Sequence, residues 1–167
     1  MKLQGFTDAD WAGSPSDQKS TYGGIFNLGL AVVSWYNRKQ MSIAVRSAEA
    51  KYMAASLVAC EAILMRKILV GFFCQRIDPN VIYCNNQSCI KLSENPVFHD
   101  RSKHIDIWYY HLRYCVVKRI MLLSYVSTEE QDADILTKAL PKCKFKFHRD
   151  RIWVTNIPFF VDGECLI

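Results

Sequence analysis

The sequence predicts a mixed α/β domain, in which a sheet that starts as a meander is then covered by helices. Three observations predict it. Strand-like runs at residues 2–8, 22–28 and 31–36 follow one another with only turn residues between them. A long helical pattern then begins near Ser47. After it, short apolar runs at 81–84 and 120–126 interleave with further helical patterns, the arrangement of strands in a sheet covered by helices.

The elements follow in order. The first strand, residues 2–8, runs into a polar loop, WAGSPSDQKST, where Gly13 and Pro15 mark turns. Strands at 22–28 and 31–36 meet at Gly29. After the polar NRKQ turn, Ser47 is the expected N-cap of a long helix, with Glu49 favourably placed in its first turn. Ala54, Leu57, Val58, Ile63 and Leu64 carry the helix towards Gly71. Pro79 and Asn80 punctuate, and VIYC (81–84) is a short continuous apolar run, as in a strand buried on both faces. Residues 87–94 form a short helix that the Asn95-Pro96 pair ends. Ile105, Trp108, Leu112, Cys115 and Val116 are helically spaced within 104–119. A last strand at 120–126 leads to the acidic loop STEEQDAD and then to a helical ILTKAL.

At 167 residues the chain forms one domain with a sizeable core. Half its residues are apolar and 22% are charged, which excludes a disordered chain. The net charge of +5 matters less than its placement. Residues 138–151, KALPKCKFKFHRDR, interleave basic residues with Phe145 and Phe147. Lys138, Lys142, Lys144 and Lys146 are candidate phosphate contacts there, although a solvated helix face has the same composition. The seven cysteines include no CxxC pair, and several, such as Cys60 and Cys115, lie in apolar runs. They read as reduced core thiols, hence an intracellular protein, in the cytoplasm or nucleus. MKLQGFTDAD turns polar too soon for a signal peptide, and Arg66 and Lys67 interrupt AILMRKILVGFF, so no membrane partner is expected.

Five stretches carry a resemblance: GFTDADWAG (5–13), KSTYGGIFNLG (19–29) with VSWYNRKQ (33–40), SAEAKYMAAS (47–56), VIYCNNQSCIKLSENPVFHDRSKHIDI (81–107) and YVSTEEQDADILTKAL (125–140). In this order they resemble the ribonuclease H (RNase H) domain that ends the Pol polyproteins of copia-type LTR retrotransposons, and the likeness runs from Leu3 to about Arg149. The resemblance implies an RNase H-like fold over residues 2–151, a five-stranded mixed sheet with strands one to three antiparallel. Residues 152–167 depart from the family as a divergent C-terminal tail. It also implies hydrolysis of the RNA strand of an RNA–DNA hybrid, an ancestral fusion to a reverse transcriptase, and two Mg2+ ions. Four carboxylates would hold those ions about 4 Å apart against their mutual repulsion, one ion generating hydroxide and the other stabilising the leaving oxygen.

Only two of the four expected carboxylates are present. By resemblance, Asp8 matches the first-strand ligand and Asp134 the last one. The glutamate of the family's TEAEY falls on Lys51, and the aspartate of its YCDNQS falls on Asn85. An intact set carries four negative charges; here Asp8 and Asp134 leave a net of minus one once Lys51 is included. Glu49, two residues before Lys51 and rotated by about 200° on the helix, does not replace it. Asp10 lies past the ligand position and shapes the loop. His99, His104 and Asp106 read as structural members of the same string, and Ser34 and Trp35 as packing or backbone-contacting residues. The expectation is a degenerate, catalytically impaired copy, cut from a decaying element. The alternatives are a hybrid-binding protein that does not cut, or a remnant without function.

Overall fold

The computed structural model describes residues 2–74, 78–94, 103–154, 160–161 and 164–165, the last two pairs and residues 103–107 as backbone only. Strands β1 (Leu3–Asp10), β2 (Thr21–Leu28) and β3 (Ala31–Lys39) form an antiparallel meander turning at Gly29, whose φ of 65° is the left-handed conformation glycine adopts without strain. The long helix α1 (Ser47–Phe73) follows, then β4 (Asn80–Cys84), α2 (Gln87–Glu94), α3 (Lys103–Val117) and β5 (Met121–Tyr125). A 3-10 turn (Thr128–Glu130), the short α4 (Asp134–Thr137) and α5 (Lys142–Arg151) complete the main body. A two-stranded ribbon, β6 (Phe160–Val161) with β7 (Glu164–Cys165), lies in the tail.

The five main strands form one mixed sheet in the order β3-β2-β1-β4-β5, with β4 and β5 parallel to β1. β1 is central, pairing with β2 along one edge and β4 along the other, and six of its eight residues are buried, as in a strand covered on both faces. On one face, α1 lays Tyr52, Ala55, Val58, Ala59 and Ala62 against Leu3, Phe26, Ile82 and Cys84, with Leu112 and Cys115 of α3 closing the core. Alanine at three of these helix positions lets α1 sit close to the sheet while α3 packs beside it. On the opposite face a smaller cluster joins Phe6, Ile25 and Ala133 with Ile152, the first residue of the tail.

Some local expectations need correction. Ser47 is the first helical residue rather than the cap: Arg46 holds that position, with no side-chain capping bond. Glu49 does the work, its Oε2 accepting from the Val45 backbone N–H at 2.6 Å. ILTKAL is helical only to Thr137, because Lys138 returns to extended backbone. Leu64 and Cys60 face solvent, whereas Cys84, Cys89 and Cys115 are buried free thiols. His99 and the side chains of His104 and Asp106 lie outside the described residues. Trp35 is 58% exposed and flanks an open apolar groove of about 420 Å³ shared with Val32, Ile152 and Trp153. Among the described residues no helix is long and apolar enough to cross a membrane.

Candidate functional site

Three elements and one loop meet at the C-terminal ends of β1 and β4. Parallel pairing puts Thr7 beside Cys84, so Asp8 and Asn85 emerge as neighbours from adjacent strands. Lys51 reaches them from the first turns of α1. That end of the helix is fixed by Gln40, whose buried side chain donates to the Ala50 carbonyl at 2.8 Å while its backbone N–H donates to Ser20. Asp134 arrives from the other side. Gln131, wholly buried, donates from Nε2 to the carbonyls of Thr7 (3.1 Å) and Tyr83 (3.4 Å), stitching the loop across both strand ends.

Gly23, the partner of Asp8 on β2, lets α4 come close. A Cβ at this position would sit 2.9 Å from Leu136 Cβ and 3.1 Å from Thr137 Cγ2. The approach therefore depends on a missing side chain.

The side chains form one connected chain of charge. Lys51 Nζ donates to Asp8 Oδ1 at 2.8 Å and to Asn85 Oδ1 at 2.5 Å. Thr137 Oγ1 donates to Asp8 Oδ2 at 2.6 Å. Lys138 Nζ lies 3.4 Å from Asp8 Oδ2 and 3.0 Å from Asp134 Oδ2. Asp8, Lys51 and Asn85 thus touch directly, and Lys138 joins Asp134 to them.

The chain is 37% identical over 158 residues, 95% of its length, to the retrovirus-related Pol polyprotein from transposon RE1 of Arabidopsis thaliana. It is 35% identical over 150 residues, 90% of its length, to that from transposon TNT 1-94 of Nicotiana tabacum. It spans 11% of the length of each of these relatives. No family model matches. Among solved structures, an N-terminal RNase H domain from Mycobacterium tuberculosis superposes with a TM-score of 0.57 at 11% identity, covering 89% of this chain and 96% of that one. An LC11-RNase H1 solved with an RNA/DNA hybrid gives 0.55 at 14% identity, covering 81% and 94%. These likenesses show the fold, and the Pol relatives show the lineage. The chain is an RNase H-like domain of a retrotransposon Pol polyprotein.

Within this RNase H-like domain, burial and charge pull the two carboxylates apart. Burial would push the Asp8 carboxyl up, but the Lys51 and Lys138 ammonium groups, with hydrogen bonds from Lys51 and Thr137, outweigh it and hold the group at about 2. Asp134 goes the other way: burial, reinforced by the nearby Asp8 carboxylate and opposed by Lys138, pushes it up to about 6. The physical difference is the number of cations, since Asp8 holds two ammonium groups and Asp134 one. Burial disfavours the Lys138 charge, yet its two carboxylate partners raise its affinity for the proton overall.

Two members of the site were not expected from sequence. Lys138 belongs here, between two carboxylates, as well as to the basic stretch in which composition placed it. Thr137 holds the second oxygen of Asp8. The signal was present: Asp134, Thr137 and Lys138 are spaced i, i+3, i+4, which puts them on one side of a helical turn.

As it stands, this donor set does not fit two magnesium ions. Asp8 Oδ1 and Asn85 Oδ1 share one ammonium, and Asp8 Oδ2 is taken by Thr137 and Lys138. Of the oxygens of Asp8, Asn85 and Asp134, Asp134 Oδ1 is the one buried without a hydrogen-bond partner. No group of three or more His, Cys, Asp or Glu side chains that could hold a metal occurs among those residues.

The basic stretch of the RNase H-like domain is partly neutralised from within. α5 lies against the acidic loop, where Lys144 pairs with Glu129 at 2.7 Å. Buried His148 and Arg151 both pair with Asp132, at 2.9 and 3.1 Å. Lys142 and Lys146 remain exposed, beside the exposed rings of Phe145 and Phe147.

Proposed function

We propose that this chain is a non-hydrolytic RNase H-like domain, descended from a metal-dependent endoribonuclease that cut the RNA strand of RNA–DNA hybrids. The observation that carries the reading is the Lys51 ammonium held between Asp8 and Asn85, where the ancestral site would hold a divalent cation. With Lys138 included, the site is two carboxylates against two ammonium groups. Its net charge near neutral pH is zero, against the strongly negative site that two dications require. The ancestral partners are an RNA–DNA hybrid and a neighbouring reverse transcriptase; coverage of only a tenth of the Pol relatives supports origin within a longer chain. Free cysteines support an intracellular setting.

A labelled RNA–DNA hybrid incubated with the protein in Mg2+ or Mn2+ tests the reading. No cleavage above an EDTA control is expected, and the double reversion Lys51→Glu, Asn85→Asp is expected to cleave. Metal-dependent cleavage by the unaltered chain would overturn it. Retained hybrid binding without cleavage is the second reading, favoured by exposed Lys142 and Lys146 beside two exposed phenylalanines. Gel-shift binding in EDTA that weakens steeply with salt would support it.

A further inference from the structure

We infer that the Lys51 ammonium is a tethered counter-ion standing in for a bound cation, and that a divalent-cation site lies latent beneath it, locked by this one side chain. The inference rests on the reading of the site given above and assigns the loss of metal to Lys51 rather than to Asn85.

The oxygens around Nζ are the argument. Asp8 Oδ1 and Asn85 Oδ1 converge on it at 2.8 and 2.5 Å from two adjacent strands, a carboxylate and an amide carbonyl of the kind that hard cations take. The strand ends thus still present a cation position, and the cation in it is covalently attached. Asn85 is no obstacle, because its oxygen already faces the position, and an asparagine carbonyl is an ordinary neutral ligand for a dication. Asp134 Oδ1 is a buried acceptor that neither lysine satisfies. A polar atom in that state is a ready donor to an incoming cation. Asp8 is anchored by its backbone pairing with Gly23 on β2, by the pairing of the preceding Thr7 with Cys84 on β4 and by Thr137, so its carboxylate stays in place if Lys51 is removed. The Lys51 side chain is 15% exposed, so its position opens to solvent and an ion can enter.

A lysine at this point also explains how two near carboxylates persist without metal. In a site where Asp8 is fully buried, an uncompensated charge is expensive, and the side chain supplies compensation at an effective concentration no free ion matches. Replacing Lys51 with glutamate removes that cation, adds a third carboxylate, and takes the cluster from neutral to two net negative charges with Lys138 retained.

The test is a Mn2+ titration of the full chain, read by thermal unfolding and by the loss of the free Mn2+ signal in electron paramagnetic resonance. The unaltered chain and Asn85→Asp are expected to show no Mn2+-dependent rise in Tm. Lys51→Glu is expected to bind Mn2+ and to gain roughly 5 to 10 °C at about a hundredfold excess over its dissociation constant. If Lys51→Glu is unfolded without metal, recovery of its far-UV circular dichroism on adding Mn2+ is the supporting result. Lys51→Gln, neutral and of similar length, reports whether loss of the charge alone admits the ion. Equal responses in the unaltered chain and Lys51→Glu, a response only when Asn85 is changed, or no Mn2+ uptake by Lys51→Glu in either state would overturn the inference. The last of these leaves the non-hydrolytic reading standing, whereas hybrid cleavage by the unaltered chain overturns that reading whatever Mn2+ does.

Discussion

Two regions of this domain bring lysines onto carboxylates, and only their surroundings differ. At the strand ends, Lys51 and Lys138 close on Asp8, whose side chain is wholly buried. Along α5, Lys144 closes on Glu129 at a similar distance, with the carboxylate side chain 70% exposed. Water reaches both partners of the second pair, whereas the carboxylate of the first is shut away from it. The distance between charges therefore says little about what a pair does; the solvent each charge has given up says more.

Substitutions at the two pairs should therefore differ in cost. The largest effect is expected from Lys51→Met, which keeps the stem, removes the ammonium and leaves buried Asp8 with Lys138 and Thr137. Chemical denaturation should show a loss of about 3 kcal/mol. A loss no larger than that of a surface change would place Asp8 in a wetter site than this geometry implies.

Acid acts next. Asp8 falls from 3.8 to about 2 on folding, so its contribution, about 2 kcal/mol, is present above pH 4 and lost as pH falls through 2. Asp134 has the opposite sign. Raised from 3.8 to about 6, it favours folding below pH 4, and that contribution is lost as pH rises through 6. Stability measured against pH should therefore lose a falling component between 4 and 6 in Asp134→Asn, and a rising one between 2 and 4 in Asp8→Asn.

Gly23→Ala should cost about 1 to 3 kcal/mol, because the added methyl meets Leu136 and Thr137 and pushes α4 from the sheet. The same shift should bring the Asp134 carboxyl back towards ordinary values, readable by NMR titration. The smallest effect belongs to the exposed pair: Lys144→Ala should change stability by less than about 1 kcal/mol, and the difference should vanish in high salt.

Much of this was legible in the sequence, for reasons that particular residues make plain. The meander, the long helix from Ser47 and the buried strand ending at Cys84 follow from apolar periodicity, and the order of motifs pointed to the RNase H fold. Motif register singled out Asp8, Lys51, Asn85 and Asp134, which the structure links through Lys51 and Lys138. Lys138 was singled out by composition alone, which groups it with Lys142, Lys144 and Lys146 and gives no sign that it also pairs with Asp8 and Asp134. The sharing of Asp132 by His148 and Arg151 was hidden because it joins the acidic loop to α5 across 16 and 19 residues. The cap error at Ser47 arises where a single side-chain bond, from Val45 to Glu49, decides the outcome rather than a pattern.

A lysine, not a metal ion, fills the position between Asp8 and Asn85. Crystals of the unaltered chain and of Lys51→Glu, both soaked in Mn2+, address it most directly through anomalous difference density. No peak is expected within coordination distance of Asp8 Oδ1 in the unaltered chain, and a clear one in Lys51→Glu. A Mn2+ peak between Asp8 and Asn85 in the unaltered chain, with the Lys51 ammonium displaced, would contradict it.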